Sequence, residues 1–565
     1  MWLSDRFLLE TAIVVLVSSH CILSFLLATQ AAHQNPNAHL LLRREVLSQI
    51  ALEFDLFCPL SEAFAPSPFG GAWGIGNCPR TITQHHFDVV NKARMNMQQE
   101  VLGFVPRQVP VSSILHGNYP EVRSATKDPK TVLDQVSTSM IQLYDSKYRV
   151  TAEVANLREQ CRKTVEAVVA SCNDVFPAGT RVVVFGSCAN GFGSPSSDLD
   201  MCLQLPPNTS LPAIGEEENN GAAAMAKLAE KLKEVGLEDV DAVRLTARIP
   251  VLMFNYPIIT PSGETILLDC DLSMQNPLAC LNTSLLLSYA TISPQTRVLV
   301  SIIKRWAKTR DINSPQFHTL SSYGYILMLL HFLTHHATTI QGNIVPYYEG
   351  DARRGGQYLA NQPLLPNLQW MEPSWPHSPR GTAYCEMREK PKQQSCLMPH
   401  PTETSFTVNA HFYRVADQTQ KDNLKQRFAP TQSGFDPSVA ILLAEFFRYY
   451  AFCFDFKKHV VSLNTNYGAG LIEKEAKAES DAGSVYRQIL AIEDPFETFY
   501  DVAHVLKPGT FQRVKREFAM AYSKLVDAMT GNRDASWSGS VDLHAMSGDD
   551  VVEWLCEPLP SEEEE

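Results

Sequence analysis

Arg181-Val182-Val183-Val184-Phe185-Gly186-Ser187, followed shortly by Asp198-Leu199-Asp200-Met201-Cys202-Leu203, is the stretch on which the fold turns. Arg181 to Phe185 read as a buried strand, and Gly186-Ser187 end it where a tight turn is required. In the second segment acidic and apolar residues alternate. A strand therefore carries Asp198 and Asp200 on one face, while Leu199 and Met201 point into a core. A second acidic strand follows at Ile266-Leu267-Leu268-Asp269-Cys270-Asp271-Leu272, where Asp269 and Asp271 again share a face. Between the acidic strands lie an acidic insert, Glu216-Glu217-Glu218, and a helical pattern from Ala222 to Val235.

Outward from this centre the patterns are helical. Val132, Val136, Met140 and Tyr144 recur at spacings of four within Asp128–Cys172. From Leu285 to His336 helices follow one another, broken at Ile312-Asn313-Ser314-Pro315, because proline and the residue before it resist helical backbone. Trp370 to Gly434 is proline-rich and polar and reads as an irregular loop insertion. Helix resumes at Pro437, and its Phe446, Phe447, Tyr449, Tyr450 and Phe452 read as core, not as a base-stacking platform. Ala31 to Gly117 is rich in turn formers, and Ser561-Glu562-Glu563-Glu564-Glu565 reads as a solvated end. The expected division is an extension over 1–125 and a helix over 126–165 packing with the helical domain. A catalytic domain over 166–284, a helical domain over 285–535 with an insertion at 370–434, and an acidic tail over 536–565 complete it.

Composition limits the function. The 565 residues are 45% hydrophobic and 19% charged, enough for a large core. A net charge of −13 means that any contact with a polyanion is local, not a property of the whole surface. The 13 cysteines contain no CxxC pair, which excludes a zinc knuckle and points to a reducing compartment, cytoplasmic first and mitochondrial as the alternative. Thr11 to Gln34, residues 11–34, carry no Asp, Glu, Lys or Arg, and their mostly apolar portion, Ala12 to Ala28, is near the lower length for a membrane span. Asp5 and Glu10 weaken both a secretory signal and a mitochondrial presequence, and a membrane anchor or a packed helix fits equally well.

Asp198, Asp200 and Asp271 on adjacent strand faces behind a Gly-Ser turn are the donor set of two-metal phosphoryl transfer, which uses a pair of ions about 3.5 to 4 Å apart. Mg²⁺ prefers carboxylate oxygens, so Asp198 and Asp200 suit ions that carry a triphosphate, and Asp271 suits the ion of the attacking hydroxyl. Gly186 and Ser187 let backbone N–H groups and a hydroxyl approach phosphates. An Asp-x-Asp pair alone is more often a solvated strand edge. Its spacing from the glycine-serine turn and the second acidic strand favour the metal site.

Phe185-Gly186-Ser187 with Asp198-Leu199-Asp200 resembles the signature of the DNA polymerase β nucleotidyltransferase superfamily. Cys270-Asp271-Leu272, Leu281-Asn282-Thr283, Lys304-Arg305-Trp306-Ala307-Lys308, Ile312-Asn313-Ser314-Pro315 and Thr319-Leu320-Ser321-Ser322-Tyr323-Gly324-Tyr325 resemble terminal uridylyltransferases and noncanonical poly(A) polymerases. Leu364-Leu365-Pro366-Asn367-Leu368 and Ile492-Glu493-Asp494-Pro495-Phe496-Glu497 extend the likeness into the poly(A)-polymerase-associated region, so that it covers about 130 to 530. The resemblance implies an α+β fold: a polymerase-β-like palm with a mixed sheet, a mainly helical poly(A)-polymerase-associated domain, and an active site in the cleft between them. It implies untemplated addition of nucleotides to RNA 3′ ends, with Mg²⁺ or Mn²⁺ as cofactor and the RNA 3′ end as partner.

It also implies roles. Asp198, Asp200 and Asp271 match metal ligands, and Ser187 a triphosphate contact. Lys304 and Lys308, at i and i+4 on one helix face, match a phosphate clamp, and Ser322 a phosphate-contacting serine. Tyr323 resembles a tyrosine that stacks on the incoming base, and Asn282 and Thr283 lie near the sugar. Asp494 and Glu497 match acids near the base, whose acceptors suit uracil N3–H and favour UTP; ATP is the alternative. Tyr500 departs from the histidine that many uridylyltransferases carry, and a phenol serves either base. An inactive RNA-binding relative is the rival class, but all three metal-binding acids are present. Lys304–Arg310 and Arg513–Arg516 are basic clusters suited to the RNA backbone. With no RNA-binding module in sight, an RNA-targeting protein partner is expected.

Overall fold

The computed structural model describes residues 107–119, 127–211, 220–246, 249–259, 265–336, 364–370, 405–415, 417–428, 438–464, 471–477, 489–531, 543 and 545–558, with short strands at 338–340, 343–345, 348–349, 357–358 and 382–386. The apolar segment 11–34, most of the N-terminal extension and the insert Glu216–Glu218 lie outside the described residues. No described helix is long and apolar enough to cross a membrane.

Five strands form one mixed sheet: β1 (Arg181–Val184), β2 (Leu199–Gln204), β3 (Glu238–Asp241), β4 (Val251–Ile259) and β5 (Thr265–Met274), in the spatial order β1-β2-β5-β4-β3. β2 and β5 are parallel neighbours in the middle, and their register sets Asp200 beside Asp271. All other pairings are antiparallel. Leu199, Met201 and Leu272 are fully buried on the opposite face, as the alternation predicts.

Two helices precede the sheet where the sequence reads as a single helical stretch. α1 (Pro129–Leu143) is capped by Asp128, which accepts from the Thr131 N–H at 3.1 Å. It widens into a π turn over Tyr144–Tyr148 before the chain extends at Arg149. α2 (Ala152–Ser171) restarts at Thr151, whose hydroxyl accepts from Val154 N–H. The two helices serve different cores. Val132, Leu133, Val136 and Met140 of α1 join the helical body. Cys161, Val165, Val168 and Val169 of α2 pack under the sheet with α3 (Asn220–Glu234). The change of core therefore falls at the break near Arg149, earlier than the boundary at residue 165 expected from sequence.

The helical body is built from α4 (Pro277–Ile292), α5 (Pro294–Thr309), α6 (Ser322–His331), α7 (Gln418–Phe428), α8 (Val439–Arg448), α9 (Pro508–Thr530) and α10 (Gly548–Leu555). Trp306 of α5 is at its centre, with ring centroids 4.8 Å from Phe447, 5.2 Å from Phe518 and 6.0 Å from Tyr325. Phe446, Phe447 and Tyr450 are completely buried, so the aromatic run after Pro437 is core.

Two segments differ from expectation. The proline-rich stretch 370–434 contains an antiparallel strand pair, Thr382–Glu386 with Ser405–Asn409, and helix α7. The acidic C-terminal region contains α10, which packs on α1 with Val551, Val552 and Leu555 buried. Ser547 and Asp550 cap it reciprocally, and Arg305 pairs with Glu553. Its first residue, Gly548, touches α1 so closely that a Cβ there would lie 2.4 Å from the Gln135 carbonyl oxygen.

Candidate active site

The Gly186 turn is shaped by the carboxylate that follows it. Gly186 has φ +67°, and an added Cβ would meet Asp200 Oδ2 at 2.0 Å, so only glycine fits beneath that side chain. The Phe185 N–H donates to the Asp200 carbonyl at 2.9 Å, and the Ser187 amide donates to the Asp200 carboxylate. The Gly186 N–H donates to Thr283 Oγ1 at 2.9 Å, and that hydroxyl donates in turn to the Ala279 carbonyl at 2.7 Å. Thr283, expected from the resemblance near the sugar, is therefore buried with its hydroxyl engaged, tying α4 to the turn. The Gly186 amide, expected to face phosphate, is likewise spent on this tie.

Asp200 and Asp271 are half-buried neighbours, while Asp198 and Asp269 are exposed at the rim. Burial, then the charges of Asp271 and Asp198, push the Asp200 carboxyl up to about 7. Burial and Asp198 raise Asp271 as well, against the opposing charge of Arg244. Among the described residues no three carboxylate, imidazole or thiol groups converge closely enough to grip an ion unaided. The site nevertheless fits a divalent cation that arrives with phosphate oxygens and water: crowded hard oxygen donors leave Asp200 carrying uncompensated negative potential.

The other expected site residues belong to the helical body, and of these Lys304 feels the charge of Asp198. Lys304 is half-buried on α5, its ammonium donating to the Phe192 carbonyl at 3.2 Å, and burial lowers its pKa. Lys308, one turn on, is exposed. Ser322 Oγ accepts from Asn313 Nδ2 at 2.8 Å, which ties the 313–319 turn to the start of α6. Tyr323 donates its hydroxyl to Asp494 Oδ2 at 2.9 Å, and Asn282 Nδ2 donates to the same oxygen at 3.1 Å. Asp494 Oδ1 accepts from the Phe496 and Glu497 amides, both at 2.9 Å. Four donors fill the lone-pair positions of this buried carboxylate, so Asp494 anchors Tyr323 and Asn282 and has no acceptor left for a base. Asn282 Oδ1, by contrast, is buried without a hydrogen-bond partner. Glu497 is buried near Tyr323, and its charge raises the Tyr323 phenol, after burial and Asp494. The half-buried Tyr500 ring stands edge-on to His504 at 5.2 Å.

The expected basic clusters are partly consumed by the fold. Arg310 is buried against Glu517 at 2.7 Å, and Arg513 reaches the Arg310 carbonyl and Asp311, because α9 packs against the end of α5. Sequence reading missed Arg158, which is buried on α2 and donates to three carbonyls of the turn leading to Asp198. One arginine in a helix of mixed charge carries no signal of this.

Two family models match the chain: "Poly(A) RNA polymerase, mitochondrial-like, central palm domain" over residues 136–291 and "Cid1 family poly A polymerase" over 438–498. The chain is 28% identical to terminal uridylyltransferase cid1 of Schizosaccharomyces pombe over 357 residues, covering 62% of this chain and 69% of that protein. It is 25% identical to poly(A) RNA polymerase GLD2-B of Xenopus laevis over 404 residues, 71% of this chain and 61% of that protein. Against GLD2 of Danio rerio the identity is 31% over 226 residues, 40% and 41% of the two chains. A crystal structure of the Cid1 poly(U) polymerase with MgGTP bound superposes with a TM-score of 0.50 at 22% identity, covering 75% of this chain and 98% of that one, and shares the fold. The acid-bearing mixed sheet, the glycine turn beneath Asp200 and the helical body opposite agree with these matches: the chain belongs to the polymerase-β-like nucleotidyltransferases, among the terminal uridylyltransferases and noncanonical poly(A) polymerases.

Proposed function

We propose that the chain transfers UMP from UTP to the 3′-OH of RNA, without a template and with release of pyrophosphate. The observation that carries this is the in-register pair Asp200 and Asp271 together with the Tyr323–Asp494–Asn282 hydrogen-bonded cluster, linked through Thr283, the neighbour of Asn282, which holds the Gly186 turn beneath Asp200. The first group handles phosphate and the second handles nucleoside. Asp198, Asp200 and Asp271 hold the divalent cofactor, Mg²⁺ or Mn²⁺, which when bound neutralises the triphosphate and acidifies the attacking hydroxyl. Lys304 and Lys308 supply positive charge to the phosphates, and Ser187 and Ser322 supply hydroxyls. Asn282 Oδ1, buried and unpartnered, accepts from a ribose hydroxyl, which selects ribonucleotides. Tyr323, held by Asp494, gives the base a stacking face.

UTP is favoured by the 28% identity to the S. pombe uridylyltransferase and by the carboxylate of Glu497 beside the base face. Addition of AMP from ATP is the second reading, favoured by the saturated lone pairs of Asp494 and by Tyr500, a phenol that can accept from adenine N6. Purified protein incubated with oligoadenylate and each ribonucleotide separately decides between them: the UTP reading requires the longest extension with UTP, and extension with ATP alone overturns it. Selection of particular RNAs is assigned to an RNA-targeting protein partner, and action to a reducing compartment.

A further inference from the structure

Arg158 lies behind the acidic face, on α2, and is 6% exposed. Its Nη2 donates to the carbonyls of Ser194 at 2.8 Å, Pro195 at 3.1 Å and Ser197 at 2.9 Å. Its Nε and Nη1 are buried and have no hydrogen-bond partner. The neighbouring Arg162 is engaged by Glu159, Glu166 and the Val182 carbonyl, an ordinary ion-paired arrangement. Arg158 spends its charge on main chain alone.

Three carbonyl dipoles aimed at one point repel one another, and a cationic donor offsets that repulsion. The turn's own bonds, Ser194 N–H to Ser197 Oγ at 2.9 Å and Ser197 N–H to the Ser194 carbonyl at 3.1 Å, engage only one of these carbonyls; Cys188 Sγ reaches that of Ser197 at 3.7 Å, and Arg158 is the donor that gathers all three. The peptide plane that contains the Ser197 carbonyl also contains the amide of Asp198. Cys188 Sγ grips the next plane by donating to the Asp198 carbonyl at 3.0 Å. Asp198 itself is exposed, so the main chain that Arg158 and Cys188 hold sets the origin and Cα–Cβ direction from which its carboxylate reaches.

We propose that Arg158 is a positioning residue for the cation–nucleotide site: by gathering the three carbonyls of the 194–197 turn it aims Asp198 at the ion pair. This rests on the nucleotidyltransferase reading above, and it assigns to a residue outside the cleft control over cation affinity.

The test uses full-length wild type, Arg158→Gln and Arg158→Lys. Mn²⁺ binding is measured by EPR with a non-hydrolysable UTP analogue (and its ATP counterpart), kcat and KM on oligoadenylate, and thermal unfolding without metal. The expected result is Mn²⁺ affinity at least tenfold weaker in Arg158→Gln, with kcat reduced more than thirtyfold and nucleotide KM within threefold. Arg158→Lys, which keeps the charge but lacks the fork, should fall between the two. A folded Arg158→Gln with Mn²⁺ affinity within twofold of wild type overturns the proposal, even if its melting temperature or kcat has dropped. If Arg158→Gln fails to fold, Arg158→Lys decides: wild-type Mn²⁺ affinity overturns the proposal and a threefold or greater weakening supports it. Wild type that binds no Mn²⁺ with either analogue would instead defeat the nucleotidyltransferase reading.

Discussion

The Tyr323 hydroxyl meets Asp494 Oδ2 at 2.9 Å across 171 residues of sequence, and that one oxygen also takes the amide of Asn282 at 3.1 Å. The helix that carries Tyr323 and the helix that carries Asn282 are thus referred to one buried carboxylate. Removing the phenol oxygen leaves the ring but frees its angle. We expect Tyr323→Phe to raise nucleotide KM about fivefold, the equivalent of roughly 1 kcal/mol for a lost hydrogen bond, with a smaller change in kcat. Steady-state kinetics check this; an unchanged KM would mean that the hydroxyl does not set the ring.

Gly186 and Asp200 form the tightest steric constraint of the site. Gly186→Ala would drive a methyl to within 2.0 Å of Asp200 Oδ2 on a backbone at φ +67°. Displacement of a reacting group by about 1 Å can cost on the order of a hundredfold in rate. Gly186→Ala should therefore lose at least that much kcat while folding with a stability deficit of about 1 to 2 kcal/mol. Retention of more than a tenth of wild-type activity would show that the carboxylate does not need its seat above the glycine.

Asp200→Asn separates catalysis from folding. The carboxylate is crowded by Asp271 and Asp198, so the amide should unfold no earlier than wild type in EDTA. With Mg²⁺ and a non-hydrolysable UTP at about 100 times Kd, wild type should gain roughly 2.7 kcal/mol and the variant almost nothing. Equal stabilisation of both proteins in calorimetry would remove Asp200 from the cation site.

The acidic strands, the glycine turn and the helical core were legible because each depends on local periodicity. Leu199 and Met201 are buried and Asp200 lies beside Asp271, as alternation requires. What was not legible depends on contacts made at long range. The resemblance puts Thr283 near the sugar, yet its hydroxyl holds Gly186 from 97 residues away. The resemblance makes Asp494 a base acceptor, yet its oxygens are filled by Tyr323, Asn282 and two amides. The Ser547–Asp550 capping box was a readable start for α10, outweighed by the polyacidic residues that follow it.

Gly548 tests whether α10 is part of the folded body. A larger residue must push the helix from α1, since even a Cβ would sit 2.4 Å from Gln135 O and 2.6 Å from Ser139 Oγ. Gly548→Val should destabilise the protein by about 1 to 3 kcal/mol, the usual range for overpacking. Because α10 lies on α1 and not beside the acids, kcat measured well below the unfolding transition should stay within twofold. A melting temperature equal to wild type would show that α10 is not docked in solution.

Lys524 gives that docking a signature in pH. It is buried on α9, its ammonium donates to the Trp554 carbonyl at 2.5 Å, and it stands 5.1 Å from the Trp554 ring. Burial, with the charge of Arg310 added, lowers its pKa from 10.5 to about 8, against Glu557 and Glu517. A lysine lowered by folding binds its proton more readily in the unfolded chain, so between about 8 and 10.5 stability rises with pH, and below 8 the penalty is constant. The full span corresponds to about 3 kcal/mol, of which roughly 2 should appear by pH 9.5. Other lysines and tyrosines titrate in the same window, so the quantity to measure is the difference between wild type and Lys524→Met in denaturant unfolding. Wild type should gain on the variant steadily from pH 8 to 9.5; parallel curves would place Lys524 in water and α10 away from it.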